Sequence, residues 1–232
     1  MNLKVLYEDN HLIAVFKPAG VLTQGDITGD RCLMDEVSLY LKERYKKPGN
    51  VFLGLLHRLD RPVSGIVLFA KTSKGASRLS EQFRNRTIEK IYHALVLGKP
   101  KENKGTLVNF LKKNERENTK RAELFYEVIF SGNKYSLLKI KPQTGRFHQI
   151  RAQLSSAGYP VLGDIKYGAP FALPDKSICL CATSISFKLA TQETIKEISI
   201  PIPEWSMKNF SSPPSSAKGG LGDWQKYLRV IE

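Results

Sequence analysis

His57-Arg58-Leu59-Asp60, followed by Arg61-Pro62-Val63-Ser64-Gly65, sets a carboxylate between two arginines just ahead of the apolar run Ile66-Val67-Leu68-Phe69-Ala70. Such a run reads as a buried strand, so Asp60 lies on a loop that enters the core, where a rigid scaffold commonly presents reactive groups. An ionised carboxylate there could act as nucleophile or general base. An aspartate beside arginine is equally the signature of a structural ion pair, and position alone does not choose between them. Other chemistries find little support. Cys179 and Cys181, with His57, His93 and His148, match no paired zinc-ligand spacing, and alternation on a strand makes the two thiols core residues. The glycines at 219, 220 and 222 lack the strand and helix context of a nucleotide loop. There is no Walker lysine, metal-binding His pair or nucleophile elbow. Nucleophilic or general-base work falls to carboxylates, tyrosines and histidines near Asp60.

The chain that must position these residues has 232 amino acids, enough for one generous domain with a full core. Its 36 Lys and Arg against 22 Asp and Glu leave a net charge of +14, spread along the sequence, which favours a polyanionic partner such as RNA, DNA or an acidic membrane surface. All apolar runs are far shorter than the roughly 20 residues of a spanning helix, and the N-terminal residues lead into a strand pattern rather than a signal peptide. With only three cysteines, the composition is that of a soluble, cytoplasmic protein with reduced thiols.

In chain order, Val5 to Phe16 reads as a hairpin around Glu8-Asp9-Asn10-His11, ended by Lys17-Pro18-Ala19-Gly20. Leu33, Met34, Val37, Tyr40, Leu41 and Tyr45 recur at helical spacing and predict a helix of about 15 residues. After the strand that follows Asp60, Thr72 or Ser73 caps a helix carrying Ala76, Leu79 and Phe83 on one face. Ile88 to Leu97 resumes strand character and includes Tyr92. Lys112, Lys113, Arg116, Lys120 and Arg121 form a charged, turn-like insert that either follows a phosphate backbone or solvates a loop. Arg121–Phe130 and Lys134–Lys141 make a hairpin across Ser131-Gly132-Asn133. A helix from Phe147 to Leu154 follows, with Phe147, Ile150, Leu154 and Ala157 as its buried stripe and His148, Arg151 and Ser155 on another face. After a Gly- and Pro-punctuated loop, Ser177–Leu189 and Thr194–Ile200 form a last antiparallel pair. From Ser206 to Asp223 the composition turns to Ser, Pro, Gly and Lys, a tail or linker before a short terminal helix around Trp224 and Tyr227.

Taken in order, Val15-Phe16-Lys17-Pro18-Ala19-Gly20-Val21, His57-Arg58-Leu59-Asp60 with Ser64-Gly65, Lys90-Ile91-Tyr92, and Thr144-Gly145-Arg146-Phe147-His148-Gln149-Ile150-Arg151 with Gly163-Asp164 resemble the RluA-type pseudouridine synthases. The resemblance covers roughly residues 5 to 205. It implies an α+β fold with a mixed, largely antiparallel central sheet, flanked by helices and loops that form an RNA-binding cleft. The catalytic domain would occupy residues 1–205, with residues 206–232 as the tail. It further implies isomerisation of uridine in structured ribosomal or transfer RNA: the base is detached from C1′ at N1, turned, and rejoined through C5, with no cofactor needed.

By the same resemblance Asp60 is the catalytic aspartate, attacking or assisting at the sugar. Arg151 matches the arginine that pairs with it and would favour its ionised form, and Tyr92 matches the tyrosine that lies against the uracil ring. Arg58 matches a residue that fills the gap left by a flipped base, a role suited to a planar, stackable head. His57, Arg146, His148, Lys112, Lys113 and Lys120 are the further candidate RNA contacts. The sequence departs from the family at Val63, where a Thr commonly precedes the Ser-Gly, and at Cys181, where a late strand commonly has His. These changes concern loop shape and substrate fit rather than the reaction. Many members carry an N-terminal S4 module; here the first motif begins almost at Met1, so substrate choice is expected to rest on the catalytic domain, the basic insert or the tail, in a chain that reads as a monomer. Two other readings stand beside this one: a noncatalytic RNA-binding protein on the same fold, and a nuclease using His57 or His148 as general acid and base.

Overall fold

A computed structural model describes residues 3–112 and 117–206. Lys113, Arg116, nearly all of the Ser/Pro/Gly tail and the terminal helix expected around Trp224 lie outside the described residues. The described residues fall into two compact units, one comprising the chain up to Lys90 together with Ala182–Ile200, the other Ile91–Cys181 together with the residues from Pro201 on.

In the first unit, β1 (Val5–Glu8) and β2 (Leu12–Lys17) form the expected hairpin, and β2 pairs antiparallel with β4 (Ser64–Ala70). The two-residue β3 (Gly54–Leu55) also lies against β4. Strand β9 (Leu180–Lys188) neighbours β4, and β10 (Ile195–Ser199) pairs antiparallel with β9. The β4 sequence is a continuous apolar run because both its faces are covered. Leu12, Ala14, Ile66, Leu68 and Ala70 pack with Leu79, Ile185, Phe187 and Ile198 on one face. Their alternating neighbours Ile13, Val15, Val67 and Phe69 are fully buried as well.

Helix α1 (Leu33–Arg44) buries Leu33, Val37 and Leu41, and is 12 residues long rather than the expected 15 or so. Its last expected residue, Tyr45, has left helical geometry to donate its hydroxyl to Glu8 at 2.7 Å. Helix α2 (Ser73–Asn85) is capped as its sequence predicts: the Thr72 hydroxyl accepts from the Gly75 N–H at 3.1 Å. Leu79 on its inner face is wholly buried.

The chain passes into the second unit within β5 (Glu89–Leu97). There β5, β8 (Tyr135–Pro142), β7 (Lys120–Ser131) and β6 (Lys104–Leu111) lie in that order, each antiparallel to the next. Strand β6 was not expected. It is an edge strand whose side chains alternate exposed and half-buried, with Phe110 at 69% exposure, so its apolar residues lack the buried-face signature that marks the other strands.

Helix α3 (Gln149–Ser156) begins two residues later than predicted, because His148 adopts a left-handed conformation (φ 49°, ψ 27°) at its N-cap. Phe147 therefore stands outside the helix and is 41% exposed instead of joining the buried stripe, while Ile150 and Leu154 are buried as expected. Gln153 anchors α3 to the hairpin: its amide nitrogen donates to the Leu107 carbonyl and to Asn109 Oδ1, both at 2.9 Å. The architecture is α+β with largely antiparallel sheet, and among the described residues no helix is long and apolar enough to cross a membrane.

Candidate active site

The Asp60 loop of the first unit is braced from both sides by the turn that follows β2. Thr23, 4% exposed, donates its hydroxyl to the Leu59 carbonyl at 2.9 Å and accepts from the Leu59 N–H at 3.2 Å. Gly20 and Arg61 exchange a second pair of bonds: Gly20 N–H to the Arg61 carbonyl at 2.8 Å, and Arg61 Nε to the Gly20 carbonyl at 2.9 Å. Asp60 thus sits between two residues whose backbones are pinned. A third bond, from the Val63 N–H to the Asp60 carbonyl at 3.0 Å, closes the loop as a turn, and Val63, the departure from the family pattern, fills the core at 3% exposure.

Beneath the loop Lys17 is fully buried, and its ammonium donates to the carbonyls of Val21 at 2.7 Å, Pro18 at 3.0 Å and Arg61 at 3.2 Å. Burial pulls its pKa down to about 7 against the opposing attraction of Asp60. Gly65, next in line, has φ +128°, and a Cβ there would lie 2.4 Å from the Ala182 carbonyl oxygen. The Ser64-Gly65 pair is thereby explained: only glycine lets β4 begin so close to β9.

Arg58 is exposed, as a residue offered to a nucleic acid must be. His57 is held differently. Its Nε2 accepts the Leu68 N–H at 3.0 Å, its Nδ1 is buried, and its ring lies 5.3 Å from that of Phe83. Burial, with the charge of Lys90, drives its pKa down to about 3. The neutral ring is engaged in the fold and is not presented as a cation to phosphate or as a general acid.

In the second unit Tyr92 lies on β5 in register with Ile140 of β8, and is 9% exposed. Arg151 is 5% exposed and forms a fork with Asp164: Nε to Oδ2 at 2.7 Å and a terminal nitrogen to Oδ1 at 2.9 Å. The Tyr167 ring covers the guanidinium at 4.9 Å, and the Tyr167 hydroxyl meets His148 Nδ1 at 3.0 Å. His148 in turn stacks on Phe147 at 3.8 Å. Arg151, read from the sequence as lying on a face apart from the apolar stripe, is itself buried, since a carboxylate and an aromatic face replace its water.

Arg146 is held at the sheet end by Nε donating to the Arg121 carbonyl at 3.1 Å. Its backbone N–H and the Thr144 hydroxyl both meet Gln149 Oε1, at 3.0 and 2.7 Å. Lys120 starts β7 and is exposed, as is Lys112 just past the end of β6; Lys113 is outside the described residues. Sequence reasoning missed Thr23 and Tyr167 as supporting groups and quoted Lys17 and Asp164 only within motifs. A lysine closing an apolar strand just before Pro18 was the available signal that Lys17 is buried.

The sequence pattern of a family described as RNA pseudouridylate synthase matches residues 11–156. The chain belongs to this RNA pseudouridylate synthase family. Among its relatives is the ribosomal large subunit pseudouridine synthase C of Rickettsia conorii, 35% identical over 211 residues, spanning 85% of this chain and 68% of that protein. The tRNA pseudouridine synthase C of Haemophilus ducreyi is 34% identical over 189 residues, 72% of this chain and 75% of the relative. The fold agrees: human RNA Pseudouridylate Synthase Domain Containing 4 superposes with a TM-score of 0.73 at 24% identity, over 87% of this chain and 89% of that one. Human RNA Pseudouridylate Synthase Domain Containing 1 gives 0.68 at 25% identity, over 88% and 84%. As an RNA pseudouridylate synthase the chain is an isomerase that converts uridine to pseudouridine.

Proposed function

We propose that this synthase modifies uridines in ribosomal or transfer RNA, with Asp60 as the catalytic aspartate at the sugar, Tyr92 against the uracil ring, and Arg151 as the third catalytic residue. The observation that carries the reading is the bracing of the Asp60 loop, whose residues on either side of the aspartate are fixed by paired hydrogen bonds to Thr23 and Gly20. A carboxylate that must meet one carbon of a flipped nucleotide gains from such fixing, because misplacement by about 1 Å can cost on the order of a hundredfold in rate. The relatives named for the large ribosomal subunit and for tRNA support the substrate class. A uridine within a stem must leave the stack, at a cost of a few kcal/mol, before its sugar can be reached. Exposed Arg58, on the same loop as Asp60, is the residue suited to fill the vacated space. Arg146, His148, Lys112, Lys113 and Lys120 would hold the surrounding RNA. In this reading the working form is a monomer acting in the cytoplasm.

The test is a transcriptome-wide pseudouridine map of cells lacking the protein, complemented with wild type or with Asp60→Ala. One or a few uridines should lose their modification and regain it with wild type alone. Equal rescue by Asp60→Ala would overturn the assignment of the aspartate, and loss of no site, joined by inactivity of the purified protein on unmodified rRNA and tRNA, would overturn the substrate class.

A further inference from the structure

Phe147 stands at the head of a run of ring contacts that leads to Arg151. Its ring lies on that of His148, with centroids 3.8 Å apart and an interplanar angle of 17°. His148 meets the Tyr167 ring edge-on at 5.7 Å, and Tyr167 covers the Arg151 guanidinium at 4.9 Å. One face of the Phe147 ring is thus taken, yet 41% of the residue remains in solvent, so the fold leaves much of its apolar area unused. The segment that displays the ring is braced. Gln149 Oε1 accepts the Thr144 hydroxyl at 2.7 Å and the Arg146 N–H at 3.0 Å, while the Gln149 amide nitrogen donates to the Glu123 carbonyl at 2.9 Å. The left-handed backbone of His148 then turns Phe147 away from the buried stripe of α3. A ring held in this way receives a flat partner with little loss of side-chain freedom. Its surroundings are basic: Arg146 precedes it in the chain, and exposed Arg121, whose carbonyl receives Arg146 Nε at 3.1 Å, adds a second guanidinium against one paired carboxylate, Glu123. An aromatic face among arginines suits an unpaired nucleic-acid base, which stacks on the ring while its phosphates meet the guanidiniums. The stacked bases of a duplex offer no such face along its length.

We propose that Phe147 is a stacking platform for an unpaired base of the RNA substrate, a base other than the uridine that is isomerised. The inference rests on the reading of ribosomal or transfer RNA as the substrate. It assigns Phe147 to binding and not to the chemistry, because a base stacked away from the reacting nucleotide is held alike before and during the reaction. Every base has a π-face, so the platform adds affinity for an unpaired segment without selecting its sequence. The contact involves no phosphate, which separates it from those of the lysines and arginines: its contribution does not fade as salt rises.

The experiment measures equilibrium binding and steady-state pseudouridine formation on an unmodified rRNA fragment or tRNA transcript that wild type modifies. It compares wild type with Phe147→Ala, Phe147→Leu and Phe147→Trp, with urea melts alongside. Phe147→Ala should bind about tenfold more weakly and raise KM in proportion, with saturating RNA restoring most of the rate. Its slope of log affinity on log salt should match that of wild type, because no phosphate contact is lost. Phe147→Leu keeps apolar bulk without the ring and should behave as Phe147→Ala does. Phe147→Trp should bind at least as tightly as wild type, and the RNA should quench the fluorescence of the added indole. Wild-type affinity in a folded Phe147→Ala or Phe147→Leu overturns the proposal. If neither of those variants folds, Phe147→Trp decides: indole fluorescence unchanged at saturating RNA overturns it, and quenching upholds it. A wild-type protein that modifies neither rRNA nor tRNA would instead reject the reading on which the inference rests.

Discussion

The Arg151–Asp164 fork is a fully buried ion pair, and its energetics are those of a pair whose partners cannot return to water separately. Removing one member of a buried pair takes from the other its two shortest charge-assisted bonds, a loss that costs about 3–5 kcal/mol where nothing replaces them. Asp164→Asn is therefore expected to lower stability by about that amount, read as a shift in the urea midpoint. Its turnover should fall too, because the guanidinium loses the two bonds, at 2.7 and 2.9 Å, that set its orientation under the Tyr167 ring. Asp164→Glu should recover part of the stability and little of the rate, since it restores charge without the geometry. A variant as stable as wild type would show that Arg151 is held by its other contacts. At this scale the sequence was partly legible. Asp60, Arg151 and Lys17 stand in motifs that a resemblance can match, whereas the bonds that Lys17 and Thr23 make to backbone carbonyls and amides are brought about by folding, and no spacing in the chain encodes them.

The elements explain why the site tolerates so little backbone change. Gly65 and Gly20 both have positive φ, +128° and +83°, yet only Gly65 has backbone within reach of an added Cβ. Gly20→Ala meets open space and should cost about 1 kcal/mol for its conformation alone. Gly65→Ala must also push Ala182 away from β4, and is expected to cost on the order of 3 kcal/mol or more while lowering activity, since β4 follows directly from the Asp60 loop. Thermal melts of the two variants make the comparison, and equal losses would show that the approach of β9 to β4 is easily relaxed. Strong periodic elements were readable: the β1–β2 hairpin, β4, the Thr72-capped α2 and the β7–β8 hairpin lie close to where their patterns put them. Strand β6 and the start of α3 were not. An edge strand needs no buried face, and the left-handed turn at His148, where its ring meets Phe147 and Tyr167, leaves no mark in the helical period of the sequence.

For the whole molecule, a net charge of +14 favours RNA at long range and carries no sequence information in itself. The part of it that tracks phosphates is measurable. If Lys112, Lys113 and Lys120 each neutralise a phosphate, changing all three to Gln should weaken RNA binding and flatten the dependence of log affinity on log salt by about 2 to 3, given roughly 0.7–0.9 for each phosphate no longer neutralised. An unchanged slope would make the insert a solvated loop. Composition, the apolar periods and four ordered motifs were enough, from sequence by itself, to determine the α+β class, the RNA partner, the family and the residues to suspect, because these depend on residue type and on local period. The tertiary structure decided how those residues are held: the carbonyl cage around Lys17, the bracing of Leu59 and Arg61, the fork on Arg151 and the neutral, fold-engaged His57. Each of these is a contact between segments far apart in the chain, and its strength comes from the exclusion of water, which only the packed fold provides.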